Sequence, residues 1–533
     1  MSADSPSPAP GAIVLATLNA KYIHAAFGLR YLQANMGPLR AHTQLREFTI
    51  LQRPLDIAEA LLEALGDPRS GPRILGLGVY IWNVEETRAL VELLRRVDTG
   101  AETGARKLVI VVGGPEVSHE LDEQPWLAQV DYVITGEGDR AFPELCARLL
   151  DGRRPLTRVL DGGLPDLDSL TLPYALYTDH DLSHRVVYVE ASRGCPYRCE
   201  FCLSSLDKKV RAFPLEALLG EFDSLLERGA RHLKFVDRTF NLDIARSRAI
   251  LEHFLARLER YPELFLHFEL VPDRLPEELR ELIARFPPGS LQFEVGIQTL
   301  DDAVGRRISR RQRVDRTFAN LEFLRERAHV HLHTDLIIGL PGEDLEGFGA
   351  GLDRLIAAGV QEVQVGVLKR LRGTPIVRHA EPFGLVFEPR PPYAILRTDA
   401  IDFPTMQRLR RFAQVWDNFW NHGDMPRTMA QLWRVDGRGS PFAATLAFSD
   451  WLFARAGRVH AISLINRARY LCAFLVEVHG CALEAIHEGC VAPDFEARGK
   501  GVPQLGDLSL GPKASGRGRA RDANERQRRH ASG

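Results

Sequence analysis

No apolar run in the 533 residues reaches the roughly 18 to 20 that a helix needs to cross a bilayer, so no membrane partner is expected. The chain also lacks an excess of either charge: 68 Lys and Arg stand against 70 Asp and Glu, a formal net charge of −2. That balance gives nucleic acid no electrostatic foothold, and none is expected as a partner. Cysteine is scarce. Seven in the whole chain cannot build a disulfide framework. The opening "MSADSPSPAPG" has neither the basic start nor the apolar stretch of a secretory signal. It reads as a short disordered lead over residues 1–10, and the expected setting is cytoplasmic and reducing. At this length two or three domains are expected.

Scarcity makes placement informative. Three of the seven cysteines fall within "ASRGCPYRCEFCLSS", as Cys195-x3-Cys199-x2-Cys202. A disulfide would use two and strand the third. A structural zinc site takes four ligands, and the nearest histidines (His180, His184 and His232) stand well outside the loop. Three thiolates can instead hold three irons of a four-iron cluster and leave the fourth open to an outside ligand. The spacing suits that cluster better than zinc. Arg193 and Arg198 flank the thiols and are expected to offset their charge.

The flanking patterns set the architecture. Buried strands are expected at 12–18, 74–81, 108–114 and 130–138, alternating with amphipathic helical segments such as 84–97, which implies a parallel sheet covered on both faces. Ligands of such sheets sit beyond the strands' carboxyl ends. The Gly113-Gly114-Pro115 and Gly136-Glu137-Gly138 turns fall there. A Pro/Gly/Asp-rich connector over 153–184 precedes six further strands, at 185–192, 232–240, 264–270, 290–300, 330–343 and 360–374. These predict a partial (β/α)6 barrel over 185–402, with the cysteines just past its first strand, on the face where such barrels build sites. Residues 403–492 read as a mostly helical domain with Trp416, Trp420, Trp433 and Trp451 in its core. Residues 493–533 read as a disordered Gly/Arg-rich tail. Cys472, Cys481 and Cys490 recur every nine residues, a rotation of about 900° in one continuous helix. That puts Cys472 and Cys481 on opposite faces, so no auxiliary cluster is expected there.

The motif series resembles the radical S-adenosylmethionine (radical SAM) superfamily. The resemblance covers about Val186 to Pro375, through the three cysteines, "FEVGIQTL", "DLIIGLPGE" and "LRGTPI". It implies a 4Fe-4S cluster on Cys195, Cys199 and Cys202, and S-adenosylmethionine contacts from Phe201, Glu294, Gln298, Ile338 and Gly339. The Gly-Gly-Glu motif that many members use to hold the methionine amine is missing; "FVDRTFN" stands there, making Asp237 the expected acceptor. The alternative for Asp237 is a helix cap. The first domain, over 11–152, resembles the doubly wound, flavodoxin-like B12-binding domain of the cobalamin-associated branch of this family. That implies a corrinoid contacting Gly113, Gly114, Pro115, Gly136, Glu137 and Gly138. The D-x-H-x-x-G motif that supplies an axial histidine is absent; His24 lies in the corresponding loop at a different spacing, so no histidine is expected on cobalt. The resemblance further implies an electron donor such as a flavodoxin or ferredoxin. It implies methyl transfer to an unactivated carbon, with cyclisation, rearrangement or methylthiotransferase-like chemistry without cobalamin as alternatives, and a non-catalytic metal sensor as the remotest one. Neither the substrate, whether small metabolite or peptide, nor a catalytic residue is specified.

Overall fold

The computed structural model describes residues 12–67, 71–98 and 108–505. The expected lead and the tail beyond 505 lie outside the described residues. Two six-stranded parallel sheets organise the chain. In the first the order is β2-β1-β3-β4-β5-β6, with β1 Ile13–Asn19, β2 Thr43–Thr49, β3 Arg73–Gly78, β4 Leu108–Gly113, β5 Tyr132–Thr135 and β6 Val159–Asp161. Every residue of β1 is buried, because helices cover both faces. Val14, Ala16 and Leu18 pack with Ile57, Leu61 and Leu90 on one side. Ile13 and Leu15 pack with Leu29, Phe142 and Leu145 on the other. The chain reverses its direction of winding between β1 and β3, which in such sheets is where a crevice opens for a ligand.

Two strands depart from the sequence expectation. β2 and β6 are edge strands, polar and partly exposed, so they lack the apolar run that marks the central four. β6 also extends the first sheet into the stretch read as a linker.

The second sheet runs β14-β13-β12-β11-β10-β7, with β7 Val187–Val189, β10 His232–Phe235, β11 Phe265–Leu270, β12 Leu291–Gln298, β13 His331–Ile338 and β14 Glu362–Val367. Adjacent strands follow chain order, as right-handed crossovers through helices demand. Between β7 and β10 a small antiparallel pair, β8 (Ser192–Arg193) with β9 (Arg211–Ala212), closes a loop. Along β13 the residues alternate. Leu332, Leu336 and Ile338 enter the core beneath the helices, and His331, His333 and Asp335 occupy the opposite, open face.

Helices follow at Phe403–Trp416, Pro426–Asp436, Pro441–Ala456 and Leu464–Glu477. Trp416 stacks on Trp433 with centroids 5.9 Å apart, and Trp420 lies 4.5 Å from Trp433, forming a packed aromatic core. Packing continues past residue 492, where the helical region was expected to end, because Phe495 and Leu505 bury in the same core. The helix carrying Cys472 stops before Gly480, which turns left-handed at φ 67. The single-helix rotation argument therefore does not hold. Cys472 is fully buried, and its thiol is pushed up to about 12 by desolvation, with Cys490 adding to it. A buried thiol in apolar company packs as a small hydrophobe. Changing Cys472, Cys481 and Cys490 together to Ser is expected to leave the iron content of reconstituted protein unchanged. Loss of a separate block of iron would overturn this.

Candidate functional site

The loop between β8 and β9 carries all three clustered cysteines. Gly194 opens it at φ 92, and a Cβ there would lie 2.3 Å from the Lys209 carbonyl, so only glycine fits. The Cys195 amide donates to the Asp207 carbonyl at 3.0 Å, and the Cys202 amide to the Cys199 carbonyl at 3.1 Å. Glu200, buried between the last two cysteines, pins the loop from below. It accepts hydrogen bonds from Ser309 Oγ at 2.6 Å and Arg378, and pairs with His379 Nε2 at 2.7 Å. Cys195 and Cys199 are buried and Cys202 is half-buried. Burial raises the Cys195 thiol, and Cys202, Cys199 and Glu269 add to the rise.

Positive charge reaches the thiols from residues other than those expected. Arg310 donates to Cys199 Sγ at 3.3 Å and to the Gly296 carbonyl. Arg238, an exposed side chain paired with Glu269 at 3.2 Å, is within electrostatic reach of Cys202. Arg198 is exposed, and Arg193 is held elsewhere by carboxylates. At Gly296 a Cβ would meet Gln298 Nε2 at 2.8 Å and Arg310 Nη2 at 3.2 Å, so a side chain there would push both of these groups aside. Gln298 itself sits at φ 71.

The remaining expected contacts divide. Phe201 is half-buried against the main core. Glu294 lies lower on the open face, where His267 Nε2 is 3.1 Å and Lys234 Nζ 3.4 Å from its Oε2. Burial raises its carboxyl, but the His267 hydrogen bond and Lys234 outweigh that and hold it well below the usual carboxylate range. Asp237 is buried, and its oxygens accept from the Ala191 amide at 2.9 Å and Ser192 Oγ at 2.6 Å. It caps no helix, the neighbouring caps being Thr239 and Asp243, and it fixes the strand end that leads into the cysteine loop. Ile338 points its side chain into the helix-covered core, leaving only its backbone toward the open face. Gly339, at φ 85, admits Ile395 where a Cβ would stand 2.7 Å away.

One acceptor on the open face is unclaimed. Asp335 Oδ1 is buried and has no hydrogen-bond partner among the described residues; His333 Nε2 stands 3.7 Å away. Burial, with Glu294 and Glu269 behind it, pushes this carboxyl well up. Asp335 pairs in register with Gly296, beside Arg310. A buried polar atom without a partner calls for one from a ligand.

Glu343, the last residue of "GLPGE", ties two strand ends by accepting from Thr299 Oγ1. Burial raises its carboxyl to about 8, against the Thr299 hydrogen bond. The protonated acid is therefore the folded form. Its contribution is fully present below about 4.5, the ordinary glutamate value, and is lost as pH rises through about 8. Thermal melts of Glu343→Gln are expected to flatten this alkaline loss. An unchanged slope would mean Glu343 does not titrate there.

A cavity of about 280 Å³ opens at the carboxyl ends of the first sheet, on the face packed with Leu29 and Phe142. Gly113, Gly114, Gly136, Glu137 and Gly138 all line it; Pro115 and His24 do not. His24 instead hydrogen-bonds through Nδ1 to Tyr188 Oη at 2.7 Å, turned toward the second sheet. Beside the cavity the two sheets are locked together. Arg372 of "LRGTPI" donates to Glu116 at 3.0 Å and Glu120 at 3.2 Å, and the His119 ring fills the space where a Gly373 Cβ would stand.

Residues 189–355 match the family model of the radical SAM superfamily. This stretch is a radical SAM domain. Residues 381–490, behind the radical SAM domain, match the family model described as a protein of unknown function, DUF4080. The chain is 24% identical over 346 residues to a 2-(S-pantetheinyl)-carbapenam-3-carboxylate methyltransferase of Streptantibioticus cattleyicolor, covering 58% of this chain and 48% of that protein. It is 30% identical over 307 residues to the ribosomal protein uS12 methylthiotransferase RimO of Trichlorobacter lovleyi, covering 55% and 64%. The chain thus spans about half the length of the first curated relatives it matches. Two solved structures share the fold that holds the radical SAM domain. The cobalamin-dependent S-adenosylmethionine radical enzyme OxsB aligns over 93% of this chain and 76% of its own, with TM-score 0.57 and 15% identity. The methyltransferase TsrM from Kitasatospora setae, solved with cobalamin and a [4Fe-4S] cluster, aligns over 72% and 78%, with TM-score 0.54 and 18% identity. Among the described residues, no three His, Cys, Asp or Glu side chains are grouped so as to hold a single metal ion. No helix of the described residues is long and apolar enough to cross a membrane.

Proposed function

We propose that the chain is a cobalamin-associated radical SAM enzyme that transfers a methyl group to an unactivated carbon of a substrate still to be identified. The observation that carries this reading is the juxtaposition of a glycine-walled cavity, at the first sheet's ligand edge, with the thiol loop of the radical SAM domain. The donor set fits the implied groups: three soft thiols, with Arg310 against one and Arg238 within electrostatic reach, suit an anionic iron–sulfur cluster. The unclaimed Asp335 carboxyl and the adjacent Gln298 suit a polar, hydroxyl-bearing ligand such as S-adenosylmethionine. The cavity lies at the lower end of the roughly 300–1,000 Å³ typical of small-molecule sites, so it suits a side group of a corrinoid and not the whole molecule.

When bound, the cluster and S-adenosylmethionine supply a 5′-deoxyadenosyl radical, and the corrinoid supplies the methyl group. The chain's part is to bind, orient and balance charge. Cys195, Cys199 and Cys202 hold the cluster. Arg310 sets positive charge against Cys199, and Gly296 keeps open the space in which Arg310 and Gln298 lie. Asp335, whose carboxyl burial raises, keeps one oxygen unclaimed on the open face. Glu269, whose charge reaches Cys195 and whose carboxylate also pairs with Arg238, joins Asp237 as a candidate acceptor for the methionine amine. Glu294, bound to His267 and Lys234, belongs to the polar floor of the open face. An electron donor such as a flavodoxin or ferredoxin completes the requirement.

Similarity to methylthiotransferases raises a second reading, without corrinoid. Such a protein needs thiols for another cluster in its first domain, where the described residues offer only Cys146, fully buried with its thiol raised by desolvation. The test is anaerobic reconstitution with iron, sulfide and hydroxocobalamin, followed by gel filtration and reduction with S-adenosylmethionine present. The expected result is retained cobalt together with 5′-deoxyadenosine. Deoxyadenosine without retained cobalt would favour the methylthiotransferase-like reading, and neither product would overturn both.

A further inference from the structure

The wall of the first-sheet cavity and the anchor of the cysteine loop are the same turn. Gly136, Glu137, Gly138 and Asp139, just past β5, line the cavity, and so do Glu190 and Arg193 from the other sheet. The side chains of Glu137 and Asp139 reach across to the other sheet. Arg193 Nη1 donates to Glu137 at 2.8 Å and to Asp139 at 3.0 Å, while its Nε donates to Glu190 at 3.0 Å. Its guanidinium lies 4.5 Å over the Tyr31 ring, and Tyr31 also lines the cavity. Arg211 binds the same Glu137 carboxylate and also donates to Asp207 at 3.1 Å. Asp207 in turn receives the Cys195 amide on its carbonyl.

Arg193 and Arg211 are therefore the two strands of the hairpin that carries the thiols, each forked onto one acidic turn. Arg193 stands two residues before Cys195. Gly194 between them allows no slack, because the Lys209 carbonyl packs against its Cα. The turn has little room on its far side: a Cβ on Gly162 would lie 2.2 Å from the Glu137 carbonyl. A group entering the cavity that displaces Gly136 to Asp139 must shift both arginines, and with them the Cys195 end of the loop.

We infer that Glu137 and Arg193 are positioning residues that couple occupancy of the first-sheet cavity to the geometry of the iron–sulfur loop. The inference rests on the corrinoid reading of the cavity. Coupling between two sites is reciprocal: whatever factor cluster loading applies to corrinoid affinity, corrinoid applies to cluster binding. The planar arginine fork matters here, since lysine keeps the charge but cannot bridge Glu137, Asp139 and Glu190 together.

The experiment titrates hydroxocobalamin into the full chain, iron-free and iron-loaded, under anaerobic conditions. The cluster's midpoint potential is measured with and without hydroxocobalamin. In the wild type the two affinities are expected to differ by roughly 5- to 150-fold, and the potential is expected to shift on corrinoid binding. In Glu137→Gln and Arg193→Lys, each checked for iron content, the affinity ratio is expected to fall toward one and the shift to vanish. An unchanged ratio in both variants overturns the inference. If neither variant loads iron, the wild-type ratio decides, and a ratio of one overturns it. Failure of the wild type to bind hydroxocobalamin at all removes the corrinoid reading and this inference with it, which cobalt content distinguishes from binding without coupling.

Discussion

Replacing Cys195, Cys199 and Cys202 together with Ala is expected to take reconstituted protein from about four irons per chain to near zero. Reductive cleavage of S-adenosylmethionine is expected to disappear with the iron. The effect should be complete because no other thiols can substitute. Cys146 and Cys472 are fully buried with raised thiols, and Cys481 and Cys490 sit in the helical region behind the barrel. Single replacements should differ in how they fail. Cys199 has Arg310 against its sulfur, so Cys199→Ala also leaves a half-buried guanidinium without its sulfur partner. Cys202 is the most exposed of the three and should leave the rest of the loop intact when removed. Iron and sulfide analysis with paramagnetic resonance of the reduced protein would check this. Full iron loading in the triple variant would put the cluster elsewhere in the chain.

The cysteine loop was legible in the sequence because its spacing is local, and so were ten of the twelve strands of the two large sheets, because buried parallel strands read as short apolar runs. What escaped depended on distance along the chain. Arg310 follows Cys199 by 111 residues, and nothing in "ISRRQR" says which arginine will turn toward a thiol. Glu200 reads as a spacer between cysteines until His379, 179 residues on, is seen to meet it. Asp237 was assigned by its place after the second barrel strand. A carboxylate in a strand-end loop can serve the ligand or the chain itself; here it is buried, with its carboxyl raised to about 6 by desolvation, and it accepts from the Ala191 amide and the Ser192 hydroxyl. Ile338 presents its side chain to the core and only its backbone to the open face. Alternation along β13 sends residues 336 and 338 to the helices and 335 and 337 to the open face, and a one-residue choice of phase is invisible in "DLIIGL".

Hydroxocobalamin is expected to bind the first domain without a histidine on cobalt, and Gly113→Leu is expected to weaken that binding by about 100-fold or more, roughly 3 kcal/mol. Gly113 is the last residue of β4 and lines the cavity, with the Ile134 carbonyl 3.3 Å from where its Cβ would stand. A leucine there occupies space that a corrinoid side group needs, and Gly113 is not among the glycines held at positive φ, so the backbone can accept a side chain without strain. His24 is the control. Its ring is turned to Tyr188, and burial, then Lys21 and Lys234, lower its basicity. His24→Ala should therefore leave both affinity and the cobalt spectrum unchanged. Paramagnetic resonance of the Co(II) form is the decisive measurement. Nitrogen coupling that vanishes in His24→Ala would mean that the loop swings His24 out of its Tyr188 contact and into the cavity mouth. Equal affinity in wild type and Gly113→Leu would move the corrinoid away from this cavity, and the shared turn at Glu137 would then serve only to hold the two sheets together.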